Sequence, residues 1–313
     1  MLGLVISDSF KAVVTIYILI PFLVIPQIIL SGVMVKFEKL NPSIPLTNPV
    51  GIPFYGEFIT ARWGYEALAV NQFIYNKFEI QFYEYEKMKS RGNYKRNFWC
   101  NDLNLKLNAI GNGLRNGEIA DDFMNDLQIV SNEIKKELDF NPKIKFDYTQ
   151  LAPEKITNEA VLAAQGYIET IRKYYIEYYN LADRKKNALV EKLQKQDGNL
   201  YLELRDKYHN KSLQEFVTND NEQTKNIEYN GEFVQKMDPI YLDPQYKFLK
   251  AHFYAPSKQL FGIYIDTYIA NVIVLWIMTA GLYLVLYFRL LKRLLDSGEE
   301  LMGRKLKEKE QIL

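Results

Sequence analysis

Apolar residues are gathered near the two ends of this chain, and polar residues fill its middle. Residues 12–35, AVVTIYILIPFLVIPQIILSGVMV, run for 24 positions without a charge. As a helix that stretch would be about 36 Å long, enough to cross a hydrocarbon layer of ~30 Å. Residues 267–288, TYIANVIVLWIMTAGLYLVLYF, form a second uncharged run of 22. Core helices of soluble domains seldom run so far without a polar face, and signal peptides have shorter apolar segments. The pattern therefore predicts two transmembrane helices, over 12–35 and 264–290. Pro21 and Pro26 each remove a backbone donor from the first, so a helix bend is expected there. Gln27, Ser31 and Gly32 add polar and small groups to the same half. They suit either ordinary helix packing or a bent helix lining a polar path.

After the first run, Pro42, Pro45, Pro49 and Pro53 exclude a long helix. From Gly56 a helical pattern resumes, with Phe58, Ile59, Trp63, Ala67, Val70, Phe73 and Ile74 at mostly three- and four-residue steps. Arg62 and Glu66 form an i, i+4 pair, worth a few tenths of a kcal/mol on an exposed face. So close to a span, this aromatic helix is expected to rest in or dip into the membrane interface, or else to serve as a linker. Further on, Leu103, Leu107, Ile110 and Leu114 share one helix face. Residues 115–118 then turn the chain, and Ile119, Phe123, Leu127, Val130 and Ile134 share another face, giving a helical hairpin ended by Asn141-Pro142. KIKFDYT (143–149) reads as a short strand. Val161, Ala164, Ile168, Ile171, Tyr175, Tyr178 and Ala182 mark a long helix packed side by side with others. In that helix the tyrosines of YYIEYYN are expected to pack, with sugar stacking as the alternative. Residues 218–244 read as a polar loop, and PQYKFLKAHFYA (244–255) regains a helical pattern. The fold class expected is mainly α: two transmembrane helices flanking a large, mostly helical extracytoplasmic region.

A formal net charge of +1 gives no reason to expect a nucleic-acid partner. Cys100 is the only cysteine, which excludes an internal disulfide. His209 and His252, far apart and without cysteine companions, make a poor zinc set, so no metal is expected. Phosphate-loop, nucleophile-elbow and HExxH motifs are missing from the sequence, and no catalytic residue is assigned. Arg289, Lys292, Arg293, Arg304, Lys305, Lys307 and Lys309 follow the second apolar run and mark the cytoplasmic side. Both termini are then cytoplasmic in a multi-pass protein of the plasma membrane, as in a bacterial inner membrane.

The two ends carry a resemblance. LGLVISDSFKAVV and IPFLVIPQIILSG are followed by IPFYGEFITARWGYEALAVNQF, with Arg62, Trp63, Glu66, Ala67, Leu68, Asn71 and Phe73 on one helix. Together with the closing ANVIVLWIMTAGLYLVLYFRLLKRLL, they resemble the last part of the membrane domain of ABC type-2 transporters, in the ABCG-like (White) subfamily. The long middle of the chain is unmatched by the short outer loop of that subfamily. The resemblance implies that 12–35 is the fifth of six spans and 264–290 the sixth. Between them it places a re-entrant or interfacial segment (36–90), containing Arg62, Trp63 and Glu66, and an outer insertion (91–263). Residues 1–11 would end a preceding segment, and 291–313 would be a basic cytoplasmic tail. By the same resemblance Val33 and Met34 stand where the family has an apolar plug. Ile29, one turn earlier, would face the substrate cavity, and Gln27 lies on the same path. ATP and Mg would bind a separate nucleotide-binding domain, so this chain itself would not be an enzyme. Its partners would be membrane lipid, the remaining spans and that domain, in a dimeric assembly. A second class, the two-span polysaccharide co-polymerases or other membrane-anchored helical interaction proteins, shares the layout. Co-polymerases, however, carry their prolines in and near the second span.

Overall fold

The computed structural model describes residues 1–10, 12–35, 37, 52–117, 122–244 and 250–298, and the protein is mainly helical. Ile119, the prolines at 42, 45 and 49, and the basic residues beyond 298 lie outside the described residues. Helices α1 (Leu2–Ser9) and α2 (Val13–Ile29) open the chain. A 3₁₀ turn, Phe54–Phe58, leads into α3 (Thr60–Ile74). A long rod follows, made of α4 (Glu79–Tyr94), a π-helical segment (Lys95–Trp99) and α5 (Cys100–Asn116). Next come α6 (Phe123–Phe140), α7 (Asn158–Gln196), α8 (Leu200–Tyr208) and α9 (Lys211–Thr218). Two antiparallel hairpins, β1 (Asn226–Tyr229) with β2 (Glu232–Gln235) and β3 (Ser257–Leu260) with β4 (Ile263–Asp266), precede α10 (Thr267–Tyr287).

The main core is built from the periodic faces. Trp99, Leu103, Leu107 and Ile110 of the rod meet Leu127, Val130 and Ile134 of α6 and Val161, Ala164, Ile168, Ile171 and Tyr175 of α7, all buried. Burying each such aliphatic side chain stabilises by about 1.5–3 kcal/mol. Tyr175 is fully buried and Tyr174 and Tyr178 pack beside it, so these tyrosines of YYIEYYN serve packing. Local chemistry sets the ends. Gly117 adopts φ 71° at the stop of α5, and Thr157 accepts from the Ala160 N–H at the start of α7. A second cluster joins Val70, Phe73 and Ile74 of α3 to Leu213 and Val217 of α9 and to Ile240, tying α9 to the helix that packs along α10.

Several expectations are corrected. The first apolar run is helical only over Val13–Ile29, 17 residues, although the helix continues through both Pro21 and Pro26. It stops because Ser31 turns its hydroxyl back to the Ile28 carbonyl and Gly32 takes φ 79°. Among the described residues, one helix, α10, is long and apolar enough to cross a membrane. No strand forms over 143–149; Asp147 instead caps a 3₁₀ turn by accepting from the Thr149 N–H, while Ile144, Phe146 and Tyr148 pack on the core. The expected loop at 218–244 contains the β1–β2 hairpin, whose Asn230-Gly231 turn has the positive φ pair of a type I′ connection. Residues 250–256 form bends instead of helix, with Ala255 N–H closing a turn onto His252.

At Gly92 α4 and α7 approach closely: a Cβ there would sit 3.0 Å from Tyr179 Cβ and 3.2 Å from the Tyr175 carbonyl. Both neighbours belong to the helix itself, so neither can swing aside. Gly92→Ala is expected to destabilise by about 1–3 kcal/mol through overpacking. Denaturant unfolding of the detergent-solubilised chain checks this.

Candidate functional site

Two arrangements stand out, and α3 belongs to the first. Its 3₁₀ approach turns the Gly56 carbonyl toward Arg62, which donates from Nε at 3.0 Å and from Nη2 to Glu57 at 2.6 Å. Glu66, fully buried, accepts from Arg62 Nη1 at 3.4 Å, Lys258 Nζ at 2.8 Å and Asn271 Nδ2 at 2.8 Å. Asn271 also donates to the Trp63 carbonyl at 3.1 Å, and both cations lie over the Trp63 ring, at 3.8 and 4.3 Å. Two cations thus face two carboxylates, with a tryptophan as the floor. The i, i+4 pair expected on an open face is instead sealed, with Arg62 and Glu66 at 1% and 0% exposure, because β3 and α10 bring Lys258 and Asn271 onto it.

This cluster orients α3 along α10. Tyr75, just past the end of α3, lies near Asp266 at the head of α10, and Glu66 meets Asn271 one turn further in, so the two helices run antiparallel. At 1.5 Å per residue, Thr60 lies about 15 Å along α10 from Thr267. There Thr60 donates to Gln27 of α2 at 2.7 Å. Gln27 is about 21 Å along α2 from Val13 by the same rise. At the far end Asp8 pairs with Arg289 at 3.7 Å. The two lengths together match the span of α10 to within about one helical turn.

The second arrangement is a cavity of about 580 Å³ whose lining includes Gly32, Val33 and, from the π segment, Lys95 and Trp99. Such segments often occur at functional sites. Here Lys95 bonds Glu137 at 2.8 Å, and Trp99 donates from Nε1 to Glu133 at 2.7 Å. Glu133 also accepts from the Phe233 N–H and Lys136, and Glu137 from Tyr175 and Asn141. Each carboxylate already accepts from three donors, which suits a binding wall better than acid/base work. Beside it, Ser90 on α4 donates to Asp238 at 2.6 Å.

Of the predicted pathway residues, Val33 lines the cavity and Gln27 is engaged by Thr60, whereas Ile29 and Met34 face outward at 41% and 71% exposure. His209 and His252 are apart, bonded to Glu79 and to the Pro239 carbonyl. Among the described residues no group of three acidic, histidine or cysteine side chains could hold a metal. Sequence reading missed Lys258, Asn271, Glu133 and Glu137. Asn271 alone left a signal, as an amide inside an otherwise apolar run. No protein-family model, curated protein or solved structure matches the chain.

Removing one member of a buried ion network strands the others. Glu66→Ala is expected to cost about 3–5 kcal/mol, while the double variant Glu66→Leu with Lys258→Met recovers most of that loss. A double-mutant cycle from unfolding curves reads the coupling. Burial pushes the Asp238 carboxyl above its ordinary range, against the opposing Ser90 hydrogen bond. The folded state therefore holds this proton more tightly, and the associated stability is lost as pH rises through the raised value. Asp238→Asn, which keeps an acceptor for Ser90 and tolerates the local φ of 54°, is expected to raise Tm at pH 8 and leave it unchanged at pH 4.

Proposed function

We propose that this chain is the C-terminal portion of the membrane domain of an ATP-driven ABC-type exporter, working in a dimeric assembly. In this reading α2 and α10 are the last two spans and α3 is the re-entrant segment between them. The observation that carries it is the antiparallel return of α3 along the outer half of α10, held by Glu66. In this reading the return would bring Phe54 and Phe58, 79% and 72% exposed, to the depth of acyl chains. α2 buries no residue within the chain and the apolar window of α10 is only 11% buried, which suits helices whose partners are lipid and further spans. By the positive-inside rule the charges at Arg289, Lys292 and Arg293 would put that end in the cytoplasm, and the Asp8–Arg289 pair supports an N-terminal end beside it. Solute would pass Gln27 and Ile29, cross the Val33–Met34 level and leave by the outer cavity. A separate nucleotide-binding domain would bind ATP and Mg and drive the alternation between inward- and outward-open states.

Tagged chain extracted from its native membrane in mild detergent is expected to carry vanadate-sensitive ATP hydrolysis in a dimeric complex. A preparation without ATPase, forming a large homomeric ring by native mass spectrometry, overturns the exporter reading in favour of the co-polymerase class.

A further inference from the structure

The two β-hairpins close with the same backbone but opposite chemistry. In each, both turn residues have positive φ: 49° and 71° at Asn230-Gly231, 50° and 86° at Phe261-Gly262. Type I′ turns of this kind favour Asn-Gly, which the first hairpin has. The second places a phenylalanine in the left-handed region, where residues other than Gly, Asn and Asp are disfavoured. Phe261 is 83% exposed, Ile263 67% and Tyr264 60%. Residues 259–265, QLFGIYI, carry no charge, and the lysine of β3, Lys258, turns inward onto Glu66. A hairpin standing in water gains nothing from such a tip.

The position of the hairpin says what the tip meets. β4 ends at Asp266 and α10 begins at the next residue. At ~3.3 Å per residue, a four-residue strand keeps the tip within about 13 Å of the outer end of α10. Lys258, paired across the hairpin with Ile265, reaches Glu66, which itself contacts Asn271 one turn inside α10. The base of the hairpin is therefore held at the level of the first turn of that helix. Aromatic and aliphatic side chains tethered there have the headgroup–acyl boundary within reach.

We propose that the β3–β4 hairpin is a membrane-interface anchor that seats residues 260–264 in the outer leaflet of the phospholipid bilayer. The proposal rests on α10 crossing the bilayer and is independent of transport. Its role is to fix the height of Lys258, and through Glu66 that of α3, against the membrane surface.

Single nitroxide labels at Ile263→Cys, Tyr264→Cys, Ile277→Cys in α10 and the exposed Glu191→Cys of α7 test it, in full-length chain reconstituted into phosphatidylcholine–phosphatidylglycerol vesicles. The native Cys100 is fully buried and stays unlabelled. Power-saturation EPR compares access of oxygen with access of a nickel chelate. The labels at 263 and 264 are expected to show an oxygen-to-nickel ratio several-fold above that at 191, approaching that at 277. A ratio at 263 and 264 equal to that at 191, with 277 still lipid-like, overturns the anchor alone. Water access at 277 removes the spanning helix and the anchor together. Dipolar broadening at 263 that vanishes on dilution with unlabelled chain means a second copy covers the tip, and overturns the proposal as well.

Discussion

A buried carboxylate cannot stay charged in an apolar setting without partners, and Glu66 collects its partners from three separate parts of the sequence. Arg62 comes from its own helix, Lys258 from β3 and Asn271 from α10. Meeting that requirement sets the direction of α3, the inward turn of Lys258 and the start of α10 relative to both. Trp63 completes the arrangement by closing one side with an aromatic face and donating its indole N–H to the Glu57 carbonyl. The cluster lies where the polar helical region meets the apolar α10, so a single electrostatic demand joins the two parts of the molecule.

The helical region between residues 79 and 196 is organised by packing instead. The α4–π–α5 rod gives one face to α7 along most of its length, and α6 closes the other side of α5. The π segment brings both Lys95 and Trp99 to the carboxylates of α6, converting a continuous helix into one wall of the cavity. Within that wall every named charge is neutralised by a neighbour, and Val33 from the membrane-proximal end reaches the same space. Such a wall offers aromatic surface and internally compensated polarity to whatever enters it.

Much of the helical framework was legible along the chain because it obeys local rules. The three- and four-residue spacing over 161–182 corresponds to the buried face of α7, and Leu103, Leu107 and Ile110 face Leu127, Val130 and Ile134 as the hairpin reading required. Local rules also misled. Alternation over 143–149 finds no neighbouring strand and collapses onto the core. Residues 218–244 looked featureless because their composition is polar, although Asn230-Gly231 is a strong hairpin signal. The first apolar run was read too long, since absence of charge says nothing about the φ of Gly32.

Periodicity and hydropathy by themselves determined the helical stretches over 60–74, 103–114, 123–134 and 161–182, the faces these bury, and that Thr267–Tyr287 is apolar enough to cross a membrane. Both are properties of neighbours in sequence. Tertiary structure alone decided that Arg62 and Glu66 are sealed instead of exposed, that Lys258 and Asn271 join them, and that Glu133 and Glu137 face Lys95 and Trp99. Those pairs are separated by up to about two hundred positions, and no local pattern records which distant side chain will arrive to neutralise a charge before it is buried.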